Sequence, residues 1–124
     1  MTPQEKLENF GRLVVKSMWD SPLRYLARIQ GGEQVPPSQR PLQRAIAKLD
    51  EEDRRTVQVM VQELLQAAMH DFLFGLVDAH DFERGLTMTS YGDDVVELSD
   101  GVHGEIFGRD GWIAMFGEYK EVHL

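Results

Sequence analysis

The sequence predicts an α+β fold, in which N-terminal helices, including one long helix, pack on a small C-terminal antiparallel sheet. Apolar residues recur at steps of three or four before His80, and an alternating pattern of β-favouring residues follows it. The 124 residues, 42% of them apolar, suffice for one core. We therefore expect a single domain over residues 1–124, helical at about 3–80 and sheet-forming at about 85–119.

Two helices are predicted before the long one. Residues 2–5 have the order of an N-cap threonine, a first-turn proline and the glutamate of a capping box. Residues 21–22 repeat that start signal and open a second helix, which the glycines at 31–32 would end. Residues 31–41 hold three prolines and two glycines and should form an exposed loop, and a short helix at 41–49 follows. The first helix should pack on the long helix through Leu7, Phe10, Val14, Val15 and Met18.

The long helix is predicted over residues 50–80, with Asp50 as its N-cap and three acidic residues favoured by the helix dipole in its first turn. Gly75 should either permit close packing or mark a break, so a continuous and a kinked helix both remain open. The polar residues Arg55, Gln62, Glu63 and Gln66 lie on the opposite side of the helix from an apolar stripe that needs a partner. We call these seven residues the apolar stripe: Val57, Val61, Leu64, Ala68, Phe72, Gly75 and Ala79.

The C-terminal part predicts a hairpin and a further strand. Residues 86–91 alternate with β-favouring residues and should form the first strand. Residues 92–94 should form a turn, and residues 95–98 the second strand. A second turn at 109–111 precedes a last strand at 112–116. Because two or three strands are not stable alone in water, their apolar face should pack on the long helix.

Acidic residues are concentrated in the second half of the chain. Residues 1–69 contain 10 Lys and Arg against 9 Asp and Glu, whereas residues 70–124 contain 3 against 12. A field of that sign repels nucleic acid and favours a basic protein surface or a cation, although most acidic surfaces serve only to keep a protein soluble. No segment has the length of a membrane span, no secretory signal is present, and cysteine is absent, so we expect a cytoplasmic protein.

Two groups of polar residues are candidate sites. The glycine-spaced loop near residues 99–111, with its flanks, is the first choice for an interaction or ligand site, through Glu97, Asp100, His103, Glu105 and Asp110. The pairs at 70–71 and 80–81 resemble histidine–aspartate metal dyads, but their histidines lie about 15 Å apart along a continuous helix and cannot share an ion. We therefore predict no metal site, and we expect His70 and Asp71 to be buried polar residues, with Arg24 or Arg28 as the partner of Asp71.

Two segments carry a resemblance: MHDFLFGLVD at the end of the long helix, and VVELSDGVHGEIFGRDGWIAMF after it. Over this C-terminal half the chain resembles a family of small uncharacterised bacterial proteins, a domain of unknown function. The resemblance implies a bacterial cytoplasmic source, and it implies no activity, cofactor or catalytic residue.

The functional prediction is a non-catalytic, acidic protein-interaction module whose partner has a basic surface. One concrete version is an immunity-type inhibitor that masks a basic target such as a nuclease. No nucleophile or phosphate-loop motif is present, so we predict no catalytic residue and no cofactor. The alternative is a small metal- or ligand-binding enzyme that uses Asp100, His103 and Glu105. A homo-oligomer paired through the long helix is a third hypothesis.

Overall fold

The computed structural model describes residues 1–124 and confirms the α+β fold class and the long helix. A π-helix, Lys16–Asp20, joins the first two α-helices, and two short 3-10 turns occur at Pro37–Gln39 and Val102–Gly104. A single antiparallel sheet has two strands, β1 (Thr89–Ser90) and β2 (Asp93–Asp94). The α-helices are α1 (Pro3–Val15), α2 (Ser21–Gln30), α3 (Arg40–Ala47), α4 (Glu51–Asp81) and α5 (Trp112–Phe116).

The N-terminal capping box is present, and the second helix begins and ends where the sequence predicted, at Ser21 and before Gly31, but without the predicted side-chain cap. The Thr2 hydroxyl accepts from the Glu5 amide at 3.1 Å, and the Glu5 carboxylate accepts from the Thr2 amide at 2.8 Å. At residues 21–22, by contrast, no side chain caps a new helix, and α1 continues through the π-helix into α2. Pro22 has no amide hydrogen to donate, and the wider turns of the π-helix carry the chain past it.

Helix α4 is unbroken past Gly75, and the predicted packing of the apolar stripe is wrong for its middle residues, although Val61 packs against the core. Of the seven stripe residues only Ala79 is buried, whereas Leu64 is 63% exposed and Phe72 is 40% exposed. Gly75 has no neighbouring atom within 4 Å of the position that a Cβ would occupy. Apart from Ala79, the residues that α4 buries lie outside the stripe and are Gln62, Met69, Leu73 and Leu76.

The C-terminal tail explains why the polar face of α4 is the covered one. The Arg55 guanidinium donates to the His123 carbonyl at 2.7 Å, and the Gln62 side-chain oxygen accepts from the Val122 amide at 3.0 Å. These side chains satisfy the backbone groups of an extended segment that no strand pairs. The early polar residues of α4 are therefore a docking strip for the tail.

The C-terminal half contains less sheet than predicted. The strands have two residues each and turn at residues 91–92, and residues 95–98, predicted as the second strand, form turns. The hairpin packs on α1 rather than on α4, because the Ser90 hydroxyl donates to the Lys6 carbonyl at 2.7 Å and the Lys6 ammonium pairs with Asp93 at 2.6 Å. The predicted last strand is α5: Trp112 and Ile113 are both buried in one core, whereas neighbouring strand residues point to opposite faces.

One hydrophobic core unites the two halves of the chain. Trp19 of the π-helix and Trp112 of α5 are both fully buried in it. No helix is long and apolar enough to cross a membrane. The core consists of Leu7, Phe10, Val14, Val15, Trp19, Leu23, Met69, Leu73, Leu76, Val95, Val102, Ile106, Trp112 and Ile113.

Candidate functional site

The middle of α4 presents an exposed surface that is both apolar and acidic. Its members cover the exposed half of the helix circumference, with Glu63 at one edge and Phe72 at the other. The chain covers this side with no other element, since every member is exposed. We call it the α4 face, and it consists of Met60, Glu63, Leu64, Ala67, Ala68, Asp71 and Phe72.

The charge along this part of α4 has one sign. Residues 56–83 contain five carboxylates and no Lys or Arg. On the α4 face, Glu63 forms no side-chain hydrogen bond or ion pair, and the Asp71 side chain, 82% exposed, has only the His70 imidazole as a neighbour at 3.1 Å. Two carboxylates that are free to bind an external cation therefore flank the exposed apolar side chains.

The exposure of Asp71 corrects the prediction that this carboxylate is buried. Neither predicted arginine pairs with it, because Arg24 pairs with Glu118 and Arg28 forms no ion pair. The Glu118 contact raises the pKa of Arg24, first through the hydrogen bond and then through charge. Asp71 lies on the outer side of α4, where solvent reaches its carboxylate and His70 is its one side-chain neighbour.

The buried carboxylate is instead Asp20, the last residue of the π-helix. Asp20 accepts from the Glu118 amide at 2.9 Å and from the Tyr119 amide at 3.2 Å. The indole of the neighbouring Trp19 donates to the Tyr119 carbonyl at 2.7 Å. The π-helix thus anchors the start of the C-terminal tail, and no local sequence signal marks this long-range contact.

The predicted 99–111 loop is ordered by contacts within itself. The Ser99 hydroxyl donates to the Glu105 carboxylate at 2.7 Å and accepts from the Gly101 amide at 3.1 Å. Asp100 and Asp110 are exposed and form no ion pair. Glu105 and Asp110 line an open hollow of about 520 Å³. The loop therefore holds one carboxylate internally and presents two to solvent.

His103 contacts aromatic rings rather than the loop carboxylates. Its ring centroid lies 5.6 Å from that of His70 and 5.5 Å from that of Phe74, in edge-on geometry. His70 is half-buried, and its ring stacks on that of Phe74 with the two centroids 6.1 Å apart. The His103 Nδ1 atom is buried without a hydrogen-bond partner. The structure has no group of three or more His, Asp or Glu side chains arranged to hold a metal ion.

Glu97 lies with His80 at the end of α4, away from His103. The two ring nitrogens of His80 lie 3.1 Å from Asp81 and 3.2 Å from Glu97. These hydrogen bonds, that to Asp81 first, raise the pKa of His80 above its ordinary value, and the charge of Asp94 adds to the effect. His80 therefore links the C-terminus of α4 to the turn that follows β2.

The structure thus divides the predicted site residues among three places. Glu97 joins His80, His103 joins His70, and Asp100 and Asp110 remain on the loop surface. Comparison with family models, curated proteins and solved structures finds no match for the chain. The α4 face combines exposed apolar side chains with two carboxylates with which no Lys or Arg pairs.

Proposed function

We propose that this protein is a non-catalytic interaction module whose α4 face binds a protein partner with a basic surface. The observation that carries the proposal is the α4 face itself: Leu64 and Phe72 are exposed, Glu63 and Asp71 lie beside them, and residues 56–83 contain no Lys or Arg. A partner that places apolar side chains on the stripe and Lys or Arg beside it satisfies both features.

The two features contribute differently to binding. Burial of a fully exposed leucine or phenylalanine side chain contributes roughly 1.5–3 kcal/mol, and Leu64, 63% exposed, and Phe72, 40% exposed, would each contribute part of that. The exposed carboxylates would accelerate association and select against acidic partners, and their effect would weaken as salt rises. Such a surface suits an immunity-type inhibitor that masks a basic target such as a nuclease.

A second copy of the chain is a poorer occupant of the α4 face. Two such faces would bring Glu63 and Asp71 of each copy into one interface with no Lys or Arg between residues 56 and 83 to neutralise them. Like charges held across an interface oppose association. A homo-oligomer formed through α4 would therefore contradict the proposal.

The test is capture of partners from a bacterial lysate by three tagged proteins at about 50 and 300 mM salt, where screening differs strongly. The first is the wild type. The second is Glu63→Lys with Asp71→Lys on the α4 face. The third is Asp100→Lys with Asp110→Lys on the loop, which changes net charge by the same amount.

We expect the wild type and the loop variant to retain the same basic protein at near-stoichiometric yield, and the α4 variant to lose it. Retention should decrease at high salt. Loss in the loop variant alone would move the site to the 99–111 loop. An acidic captured protein, or a mass in solution showing that α4 pairs with its own copy, would contradict the proposal.

A further inference from the structure

Four aromatic rings from α4 and the 99–111 loop form a cluster that is open to solvent. The centroid of the His70 ring lies 6.1 Å from that of Phe74 and 6.1 Å from that of Phe107. The ring of His103 packs edge-on against His70 and Phe74. Phe74 is 50% exposed and Phe107 is 44% exposed, so two phenylalanine rings face solvent. We call these four residues the aromatic cluster.

The charge in contact with the aromatic cluster is negative. The Asp71 carboxylate lies 3.1 Å from the His70 imidazole. Phe74 follows Asp71 by three residues, which places the two side chains on the same side of α4. Residues 56–108 contain ten Asp and Glu and a single Lys or Arg, which is Arg84 and is already in an ion pair. No cation of this part of the chain is therefore free to balance the carboxylate.

Two other phenylalanine rings of this chain are already covered by arginine. The guanidinium carbon of Arg12 lies 4.2 Å from the ring centroid of Phe116, and that of Arg84 lies 5.4 Å from the ring centroid of Phe82. A guanidinium is attracted to the negative face of an aromatic ring, and its planar shape lets it stack there. The rings of the aromatic cluster have no cationic side chain over them. A cation at this place would therefore come from another molecule.

We propose that the aromatic cluster binds an arginine side chain of the basic protein partner. This inference rests on the proposed function and identifies one contact of the partner. The guanidinium would lie on the exposed rings of Phe74 and Phe107, and the Asp71 carboxylate would neutralise it. Arginine fits better than lysine, because an ammonium is more strongly hydrated and cannot stack on a ring. The α4 face ends at Phe72, so the arginine would lie at its C-terminal edge.

The test uses three acetylated peptides in which glycine alternates with four copies of arginine, lysine or citrulline. Citrulline has nearly the shape of arginine but no charge. Binding to the full chain is followed by NMR, through the ring resonances of His70, Phe74 and Phe107. The net charge of −8 attracts the arginine and lysine peptides alike, so a difference between them reports on the rings. We expect the arginine peptide to bind most tightly and to shift these resonances.

Paired ring variants locate the binding. Phe74→Leu with Phe107→Leu keeps apolar side chains but removes both rings, and it should weaken the arginine peptide roughly two- to fivefold. Phe82→Leu with Tyr91→Leu removes two exposed rings elsewhere and should not weaken it. Phe74→Tyr with Phe107→Tyr keeps the rings and should bind like the wild type. Circular dichroism checks that each variant keeps its helices.

A second pair of variants tests the carboxylate. Asp71→Asn should weaken the arginine peptide more than Asp100→Asn, which changes net charge equally. Equal effects of these two variants would overturn the proposal. So would equal affinities for the arginine and lysine peptides, shifts that do not include the aromatic cluster, or equal affinities for the two pairs of leucine variants.

Failure of this inference is distinguishable from failure of the proposed function, because the peptide titration uses no lysate and the peptides have no apolar side chain. If the arginine peptide fails while the α4 face still captures a basic protein, only the arginine contact is wrong. If the arginine peptide binds at the cluster but no basic protein is captured, the proposed partner is wrong and the inferred contact with it falls too.

Discussion

Two glycines on two helices should respond in opposite directions to the same substitution. Gly11 of α1 lies against Trp112: a Cβ added at residue 11 would come within 2.6 Å of two indole ring carbons. Trp112 is 1% exposed and packs at a right angle to Phe10, with the ring centroids 5.9 Å apart. The indole ring therefore has no room to move. At Gly75 of α4 the same added atom would meet nothing within 4 Å.

The magnitudes follow from these surroundings. In an open helical position, glycine to alanine stabilises by roughly 0.5–1 kcal/mol, so Gly75→Ala should be that much more stable than the wild type. Gly11→Ala gains a similar helix-propensity term but incurs an overpacking cost of about 1–3 kcal/mol. Because three ring atoms of Trp112 lie closer than 3.0 Å, we expect a net destabilisation of about 1–2 kcal/mol.

Thermal unfolding followed by circular dichroism measures both effects. With an unfolding entropy of about 2.1 cal/mol/K per residue, 1 kcal/mol shifts the Tm of this chain by about 4 °C. Gly75→Ala should therefore unfold a few degrees above the wild type, and Gly11→Ala roughly 4–8 °C below it. If Gly11→Ala is as stable as the wild type, the close packing of α1 on α5 is wrong. If Gly75→Ala is destabilised, α4 is not a free helical surface at that residue.

Two further predictions concern polar groups. Asp20→Ala should lower the free energy of unfolding by about 2–3 kcal/mol, because it leaves two tail amides without an acceptor. Asp20→Asn keeps one side-chain oxygen and should lower it less. If Asp20→Ala and the wild type are equally stable in urea, Asp20 does not anchor the C-terminal tail. NMR should find His80 titrating above 6.5, and Glu97→Gln should lower that pKa. Because the folded pKa is the higher one, the stabilisation from His80 is complete below about pH 6.5 and is lost as pH rises through the folded pKa.

The parts of the fold that local chemistry determines could be predicted from the sequence. The capping box at Thr2 and the N-cap at Asp50 depend on residues within one turn, and both are present. Helix α4 followed from periodicity and its cap, whereas its continuity past Gly75 was left open by the sequence. The strand predicted at 112–116 failed because a five-residue apolar run fits a strand or a buried helical turn equally well.

The polar contacts that hold the tail could not be predicted, because they join residues far apart in the chain. Asp20 binds amides about 98 residues away, and Gln62 binds the amide of Val122, 60 residues away. A buried glutamine has the same sequence signature as a solvated one. The covered side of α4 was therefore assigned to solvent, and the exposed side was assigned to the core.

The exposure of the apolar stripe, which the sequence predicted to be packed, bears directly on function. Helical spacing identifies an apolar stripe, but it does not say whether the partner of the stripe belongs to the same chain. Here the core takes its α4 residues from the neighbouring face, and the tail covers the polar side. Leu64, Ala68 and Phe72 are left outside with Glu63 and Asp71 beside them. The expectation that this stripe needs a partner then applies between molecules, and the carboxylates select a partner of opposite charge.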